Sequence, residues 1–412
     1  MNPRAVYADQ SGKIFDIPGL PAPARTGNTI LLPEPDAWME APCGTDYYLL
    51  PHRAYGYHHL PQKDMAKEMV TPVAAFLPPG YVRLFLPAAF PLNKGGSGKV
   101  LPQFAYCAAG WHKNVFYVTA QKVDYDPFWD PAKRNLRAVT KAVGARSPSG
   151  NKNRLLQHLS KCALGYNCYT AQNIFLCQGE GGIPVSPACN ARCAGCISFG
   201  TSTECTSSHQ RISFTPSVDE IADLAIPHLR KAQQAIISFG QGCEGEPTLQ
   251  KKTLCAAIKE IRKATSRGTI HINTNGSQTK TIKELAETGL DSIRISMNSA
   301  QKKHYERYYR PAGYRFEDVA ASLTAAKKLG LFVSINLLVF PGVSDRQSEV
   351  TAIAKLIGKA KPDLVQLRNL NIDPDLYMKI AGGTDEKCIG FKKLIEVIKD
   401  TGTQVGYFNR PI

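Results

Sequence analysis

No stretch of the sequence approaches the roughly 20 consecutive apolar residues that a membrane-crossing helix needs, so a helical membrane protein is not expected. The opening, MNPRAVYADQSGKIFDIPGL, lacks a basic segment followed by an apolar one. A secretory leader is therefore not expected either, and the protein is read as cytoplasmic. Without export, the twelve cysteines make a poor disulfide framework, because cytosolic reductants keep thiols reduced. Metal ligation or buried thiols must account for them. No internal repeat or low-complexity tract appears, which argues against a solenoid or a linker-dominated chain. Residues 1–130 lack the regular β-then-α alternation of a Rossmann unit, so no nucleotide- or cobalamin-binding domain of that type is visible.

Acidic residues are missing altogether from 131–179, where eight basic ones stand: Lys133, Arg134, Arg137, Lys141, Arg146, Lys152, Arg154 and Lys161. With a net charge of +16, this run could hold RNA, an acidic protein surface or an anionic cofactor. A solvated linker and helix face is the plainer alternative, since no aromatic residue interleaves with the first seven charges.

At 412 residues the chain is long enough for two domains. Residues 1–130 are rich in Pro and aromatics, with short apolar stretches such as 81–86 and 115–118 between turn formers, and are expected to form a strand-rich accessory domain. Residues 131–180 read as a basic, partly helical connector, with Leu155, Leu156, Leu159 and Leu164 near helical spacing. From 181 to 412 short apolar runs alternate with amphipathic segments. Strands are expected at 183–186, 234–239, 268–273, 291–297, 331–340 and 363–370. The helix over 217–232 opens on Ser217-x-x-Glu220, a capping box. Repeated units of this length imply an α/β fold of parallel strands with right-handed crossovers, in an open sheet or a barrel. The chemistry then gathers at the carboxyl ends of the strands.

After the first expected strand comes Cys189-Asn190-Ala191-Arg192-Cys193-Ala194-Gly195-Cys196. Three thiolates within eight residues can hold three irons of a cubane cluster and leave the fourth open to a small ligand. Structural zinc more often takes four ligands from paired Cys-x2-Cys knuckles, and buried thiols are the remaining alternative. The Cys-x3-Cys-x2-Cys spacing resembles the signature of the radical SAM superfamily. That resemblance implies a partial (β/α)6 barrel and a [4Fe-4S] cluster on Cys189, Cys193 and Cys196. It also implies S-adenosylmethionine (SAM) chelated at the open iron and cleaved by one electron to methionine and a 5'-deoxyadenosyl radical. Gly195 departs from the family, which often has an aromatic residue before the last Cys.

The second strand runs into Gly240-Gln241-Gly242-Cys243-Glu244-Gly245-Glu246-Pro247, which resembles the family's Gly-Gly-Glu-Pro turn with Glu244 interrupting the glycine pair. The resemblance assigns the methionine amino group to Gly245 and Glu246, and gives Asn275 and Ser296 to SAM. Val339, in Val339-Phe340-Pro341, matches the adenine-lining strand. Asn336 is the polar interruption in its apolar strand and needs a partner, either a ligand or the neighbouring backbone. Arg368 on the sixth strand can grip a carboxylate or phosphate.

Beyond the common core, Cys162, Cys168, Cys177 and Cys205 surround the motif. They are candidates for a second iron centre, with Cys107 able to join and Cys243 read as a packed thiol; buried free cysteines are the alternative. Cobalamin also stays open, since some enzymes of the family bind it without a Rossmann domain. The expected function is modification of a peptide or protein, with methylation one form it could take, and an external electron donor is required. An RNA-modifying enzyme is the alternative reading and a non-catalytic iron-sulfur regulator a weaker one.

Overall fold

The computed structural model describes residues 2–55, 71–92, 100–147, 151–200, 207–383 and 386–412. Cys205 lies outside them. The N-terminal part is strand-rich. Eight strands form one antiparallel sheet, in which 14–21, 4–8, 71–76, 106–112, 115–122 and 38–40 follow one another, while 46–49 and 81–83 pair at its sides. Val6, Val73, Cys107 and Val118 are buried in its core. Cys107 bonds Thr119 there, its Sγ 3.2 Å from the carbonyl oxygen, so it does not join the other thiols.

The basic connector is helical, with helices at Leu136–Arg146, Arg154–Gly165 and Tyr169–Leu176. Asn135 and Asn153 cap the first two by accepting from the amides of Ala138 and Leu156, satisfying N–H groups that a helix start leaves free. Leu155, Leu156 and Leu159 are buried, whereas Leu164 faces solvent at the end of its helix. Three of the eight charges are engaged by other parts of the molecule. Arg134 bonds Gln172 and Asn173 and stacks 3.8 Å over Tyr169, Arg146 donates to the Ile174 carbonyl, and Arg154 grips Glu220.

The rest is a curled half-barrel. Its seven parallel strands are Gln178–Gly182, Gln233–Phe239, Thr269–Thr274, Ser292–Met297, Phe332–Val339, Leu364–Asn369 and Gln404–Gly406, in sequence order across the sheet. Five lie within a few residues of their expected places. The first falls earlier than 183–186, because the amides of Val185 and Ser186 leave the ladder and turn to the carboxylate of Glu244. The seventh, three residues long, carries too little apolar pattern to be seen in advance.

Parallel strands covered on both faces usually read as unbroken apolar runs, but here they alternate. Ile270, Ile272, Ile293, Ile295, Val333, Ile335, Val365 and Leu367 pack into the main core. The other face carries Glu180, Ser238, His271, Asn273, Arg294, Ser296, Asn336 and Gln366, bonded to one another across the strands. The lumen of the half-barrel is therefore polar. The C-terminal tail bridges its open side: Asn409 donates to Glu180 at 2.9 Å and accepts from Gln366 at 2.9 Å, joining the first strand to the sixth.

The antiparallel sheet sits over the carboxyl ends of the fifth and sixth parallel strands. Arg83, fully buried, donates to the carbonyls of Tyr106 and Leu370, while Asn369 bonds the backbone of Tyr81 and Arg83. Arg53 reaches Asp373 at 2.7 Å, and Arg25 reaches Asp375 at 3.0 Å. Breaking such buried pairs by removing one partner strands a charge and costs about 3–5 kcal/mol. No helix among the described residues is long and apolar enough to cross a membrane.

His271 offers a probe of the lumen. Its Nδ1 is 2.7 Å from Ser292 Oγ and its Nε2 3.0 Å from Asn273 Oδ1, a pattern that suits the neutral ring with Nε2 donating. Burial, and next the charge of Arg294, pull its pKa down to about 3. The unfolded ring takes a proton below about pH 6.5 and the folded one does not, so the contribution of His271 is complete above that pH and is lost toward pH 3. Relative to His271→Gln, the wild type should lose stability as pH falls from about 6.5, at about 1.4 kcal/mol per unit for the one proton. Urea unfolding of both proteins between pH 7.5 and 5 checks this, and parallel curves would refute it.

Candidate functional site

Two backbone segments meet at the mouth of the half-barrel, the cysteine loop after the first strand and the turn after the second. Glu244 joins them. Its Oε1 accepts from the amides of Gly240 and Gln241 at 2.6 and 2.7 Å, and its Oε2 from Val185 and Ser186 at 2.8 and 2.9 Å. Burial pushes this carboxyl up to about 7, while the four donors pull the other way and use both oxygens. The residue that interrupts the glycine pair in sequence is thus the clasp of the site. Alongside it, Gly245 donates to Ser186 O and Glu246 to Ala188 O. A Cβ on Gly245 would come within 2.0 Å of the Ala188 carbonyl oxygen, so only glycine lets the segments approach this closely.

Glu246 is 3% exposed and heavily engaged. Its Oε1 accepts from the Thr248 and Thr274 hydroxyls, both at 2.6 Å, and its Oε2 from the Asn275 amide at 2.8 Å. It ties the turn to the end of the third strand. Asn275 in turn donates to Asn190 Oδ1 at 2.8 Å, inside the cysteine loop.

The far side of that loop is strapped by the Lys302–Tyr309 helix and the residues after it. Arg192 and Ala194 donate to the carbonyls of Tyr309 and Tyr308, and Ala312 donates to Asn190 O. A Cβ at Gly195 would meet the Tyr308 hydroxyl at 2.9 Å and Asn371 O at 3.0 Å. Tyr308 occupies the space beside Gly195, which accounts for the missing aromatic residue in the motif.

Cys189, Cys193 and Cys196 are all half-buried. Burial, then the neighbouring Cys196 and Cys189, push the Cys193 thiol well up, and burial raises Cys189 too. Three crowded sulfurs resist ionising together unless a cation compensates them. One cation is already present: Arg211 Nη2 lies 3.6 Å from Cys196 Sγ, and its Nε donates to Ser198 at 3.2 Å. The sequence offered no signal for Arg211, which stands fifteen residues past Cys196 in a segment without periodicity.

The strand-end candidates divide. Ser296 and Asn336 are register partners, and Asn336 Nδ2 donates to Ser296 Oγ at 2.9 Å. Asn336 Oδ1 is buried without a partner. Val339 is fully buried in the core. Arg368 lies over Tyr407, 4.1 Å from the ring centroid. The remaining cysteines also separate. Cys177 ends its helix in a left-handed conformation, while Cys162 lies beside His158 and Cys243, near Cys168. Hydrogen bonding to Cys243 and the adjacent His158 lower the Cys162 thiol, and Cys243 is raised.

The sequence profile of the radical SAM superfamily matches residues 183–354, the span from the cysteine loop through the fifth strand. These residues belong to the radical SAM superfamily. Among curated proteins, GTP 3',8-cyclase of Rhodobacter capsulatus is 27% identical over 184 residues, covering 41% of this chain and 49% of its own length. A probable GTP 3',8-cyclase of Pyrococcus abyssi (strain GE5 / Orsay) is 28% identical over 134 residues, or 32% of this chain and 41% of its own. The chain thus spans about half the length, or less, of these relatives. The solved structure of native anSMEcpe with bound AdoMet is 20% identical with a TM-score of 0.37, covering 47% of this chain and 52% of that one. That overlap is too partial to carry an inference.

Glu244→Gln tests the clasp. An amide offers one acceptor oxygen, so two of four buried N–H groups would face an NH2. At about 1–3 kcal/mol for each unsatisfied group, the variant should lose at least about 2 kcal/mol of stability, read as a lower urea midpoint at unchanged slope. A midpoint within error of wild type would refute the assignment.

Proposed function

We propose that this chain is a radical SAM enzyme that modifies a macromolecular substrate, a peptide or protein, at the mouth of the half-barrel. In this reading residues 1–130 form an accessory domain, 131–180 a connector and 181–412 the catalytic barrel. Cys189, Cys193 and Cys196 would hold a [4Fe-4S] cluster, whose donor set is soft, half-buried and placed beside the Arg211 guanidinium. When bound, the cluster supplies the electron for reductive cleavage of SAM, giving a carbon radical that abstracts hydrogen from the substrate.

The observation that carries the reading is the unpartnered Asn336 Oδ1 beside Ser296, at the mouth of a polar lumen and within the superfamily segment. A buried acceptor without a donor costs about 1–3 kcal/mol, and a ligand ribose or amino group would repay it. The chain's own residues then do three things. Ser296 and Asn336 orient the ligand, Glu246 and Asn275 hold the methionine side of the site in place through the Gly245 turn, and Arg211 offsets charge on Cys196. The antiparallel sheet, held by Arg83, and the short strands that carry Arg25 and Arg53 limit access of water over the fifth and sixth strands. Methyl transfer and cobalamin remain parts of this proposal to be scored by product mass and by absorption. A nucleotide substrate is favoured by the name of the Rhodobacter relative, and RNA by the basic connector.

After anaerobic iron–sulfide reconstitution, the protein with SAM and dithionite should form 5'-deoxyadenosine. Cys193→Ala should form none, and Asn336→Leu should cut the rate at least about tenfold, the worth of one lost hydrogen bond to the ligand. Persistent product in Cys193→Ala would sink the reading. Peptide, RNA and GTP added in turn, with mass analysis, separate the substrate classes.

The connector supplies a second measurement. Arg134, Arg146 and Arg154 are structural, so the exposed Lys133, Arg137, Lys141 and Lys152 are the charges free to bind an anionic partner. Changing these four to Gln should weaken macromolecular substrate binding and flatten its salt dependence, with 5'-deoxyadenosine formation in its absence unchanged. Equal binding and equal salt slopes would leave the run a solvated face.

A further inference from the structure

The superfamily motif uses three cysteines, and the structure gathers another set of metal-ligating atoms around Cys243 of the same turn. His158 Nε2, Cys162 Sγ and Cys243 Sγ lie within 4.8 Å of one another. His158 and Cys162 stand one helical turn apart on the Arg154–Gly165 helix, so they present side by side. Cys243 comes from the turn after the second strand, 81 residues later. Cys162 is fully buried, Cys243 is 5% exposed and His158 is half-buried, so the group is an inward cluster with one wet side.

We propose that His158, Cys162 and Cys243 form a second metal site, separate from the cluster motif, that takes a thiophilic divalent ion of the zinc type. The distances carry the assignment. With Zn–S near 2.3 Å and Zn–N near 2.0–2.1 Å, two ligand atoms on a tetrahedral ion sit about 3.6 Å apart for S and N, and about 3.8 Å for two sulfurs. Cys162 Sγ and His158 Nε2 are 3.6 Å apart. The donor set, two thiols and an imidazole, suits zinc or ferrous iron and not a hard ion such as magnesium. A water on the side of His158 completes the fourth position. The site takes Cys162 from the four cysteines expected around a second iron centre, replaces the others with His158 and Cys243, and leaves Cys177 out.

Its place in the fold gives it a task. Cys243 immediately precedes Glu244, and its carbonyl accepts from the Ile212 amide at 2.8 Å, next to the Arg211 that reaches Cys196. An ion on Cys243 would fasten the connector helix to the turn that carries Glu244, Gly245 and Glu246. In this role the ion fastens two chain segments through three protein ligands, with its fourth position open to water as in an unclosed site, and takes no part in electron transfer.

Cobalt is the probe, because it reports tetrahedral thiolate ligation by its ligand-field and sulfur-to-metal absorption. The 412-residue chain with Cys189, Cys193 and Cys196 changed to Ser removes the competing thiols of the motif, so the outcome is independent of the radical SAM reading. Titrated under reducing, anaerobic conditions, it should bind about one cobalt per chain with a tetrahedral thiolate spectrum, displaced by zinc. Adding Cys162→Ser or Cys243→Ser should abolish the thiolate absorption, and the milder His158→Gln, at a half-buried position, should weaken cobalt binding at least about tenfold with the helix content intact. No tetrahedral spectrum in the parent, or the same spectrum after both Cys162→Ser and Cys243→Ser, overturns the site. So does recovery of a Cys162–Cys243 disulfide from the aerobic protein together with no cobalt uptake after reduction.

Discussion

The geometry of the mouth depends on a single carboxylate. Glu244 accepts four backbone N–H bonds, two from its own turn and two from the start of the cysteine loop. Each of those amides has left a strand ladder, and without a common acceptor each would be buried unpaired. Because the four donors come from segments some 55 residues apart, they fix the position of one segment against the other and not merely the shape of either. Gly245 then comes into contact with Ala188, Glu246 reaches the third strand, and Asn275 reaches back to Asn190. The cysteine loop is held on both sides, by this chain of bonds and by the Tyr308 and Tyr309 carbonyls. Little of the arrangement relies on hydrophobic packing, which suits a place where a ligand must enter.

A half-barrel with a polar lumen also has to be closed somewhere, since open sheet and unsatisfied polar groups are costly. Two devices do it here. Across the open side, Asn409 spans from Glu180 to Gln366, so one side-chain amide stands in for the strands that a full barrel would have. Above the fifth and sixth strands, Arg83 of the antiparallel sheet donates to the Leu370 carbonyl, while Arg25 and Arg53, on short strands outside that sheet, reach Asp375 and Asp373. Two buried guanidiniums facing two carboxylates, with a third held by backbone carbonyls, make that junction intolerant of small shifts, because every N–H that loses its acceptor is stranded.

Much of this was legible in the sequence where periodicity or spacing carries it. The strand and helix rhythm after 181, the capping box at Ser217 and the Cys-x3-Cys-x2-Cys motif are local patterns, and the half-barrel and its superfamily segment followed from them. The first strand was misplaced by a few residues because its end is set by Glu244, about sixty residues away. The same long-range logic hid the role of Glu244, which reads as a defect in the glycine pattern, and of Gly195, whose missing side chain is explained only by Tyr308. Arg211 and the His158–Cys162–Cys243 group were invisible for a related reason. Nothing in a linear spacing says that a thiol on a turn will meet a helix that precedes it by 81 residues. The basic run illustrates the converse. Eight charges look like one surface in sequence, yet Arg134, Arg146 and Arg154 spend theirs on carbonyls, amides and Glu220 within the fold.

These observations also bear on why the connector is helical. A flexible link between the sheet and the half-barrel would leave the Gly240–Glu246 turn supported by the cysteine loop and the third strand alone, with nothing on the side of Cys243. Packing the Arg154–Gly165 helix against the turn supplies the second support, and His158, Cys162 and Cys243 are the atoms at that contact. Arg154 anchors the beginning of the same helix through Glu220, the residue that also closes the capping box of the Val218–Lys231 helix. The Arg154–Gly165 helix is thereby held at its start by an ion pair and near its end by the thiol contact. Its rigidity passes to Glu244, the next residue after Cys243, so the segment that looks most like a solvated linker in sequence buttresses the site from outside the barrel.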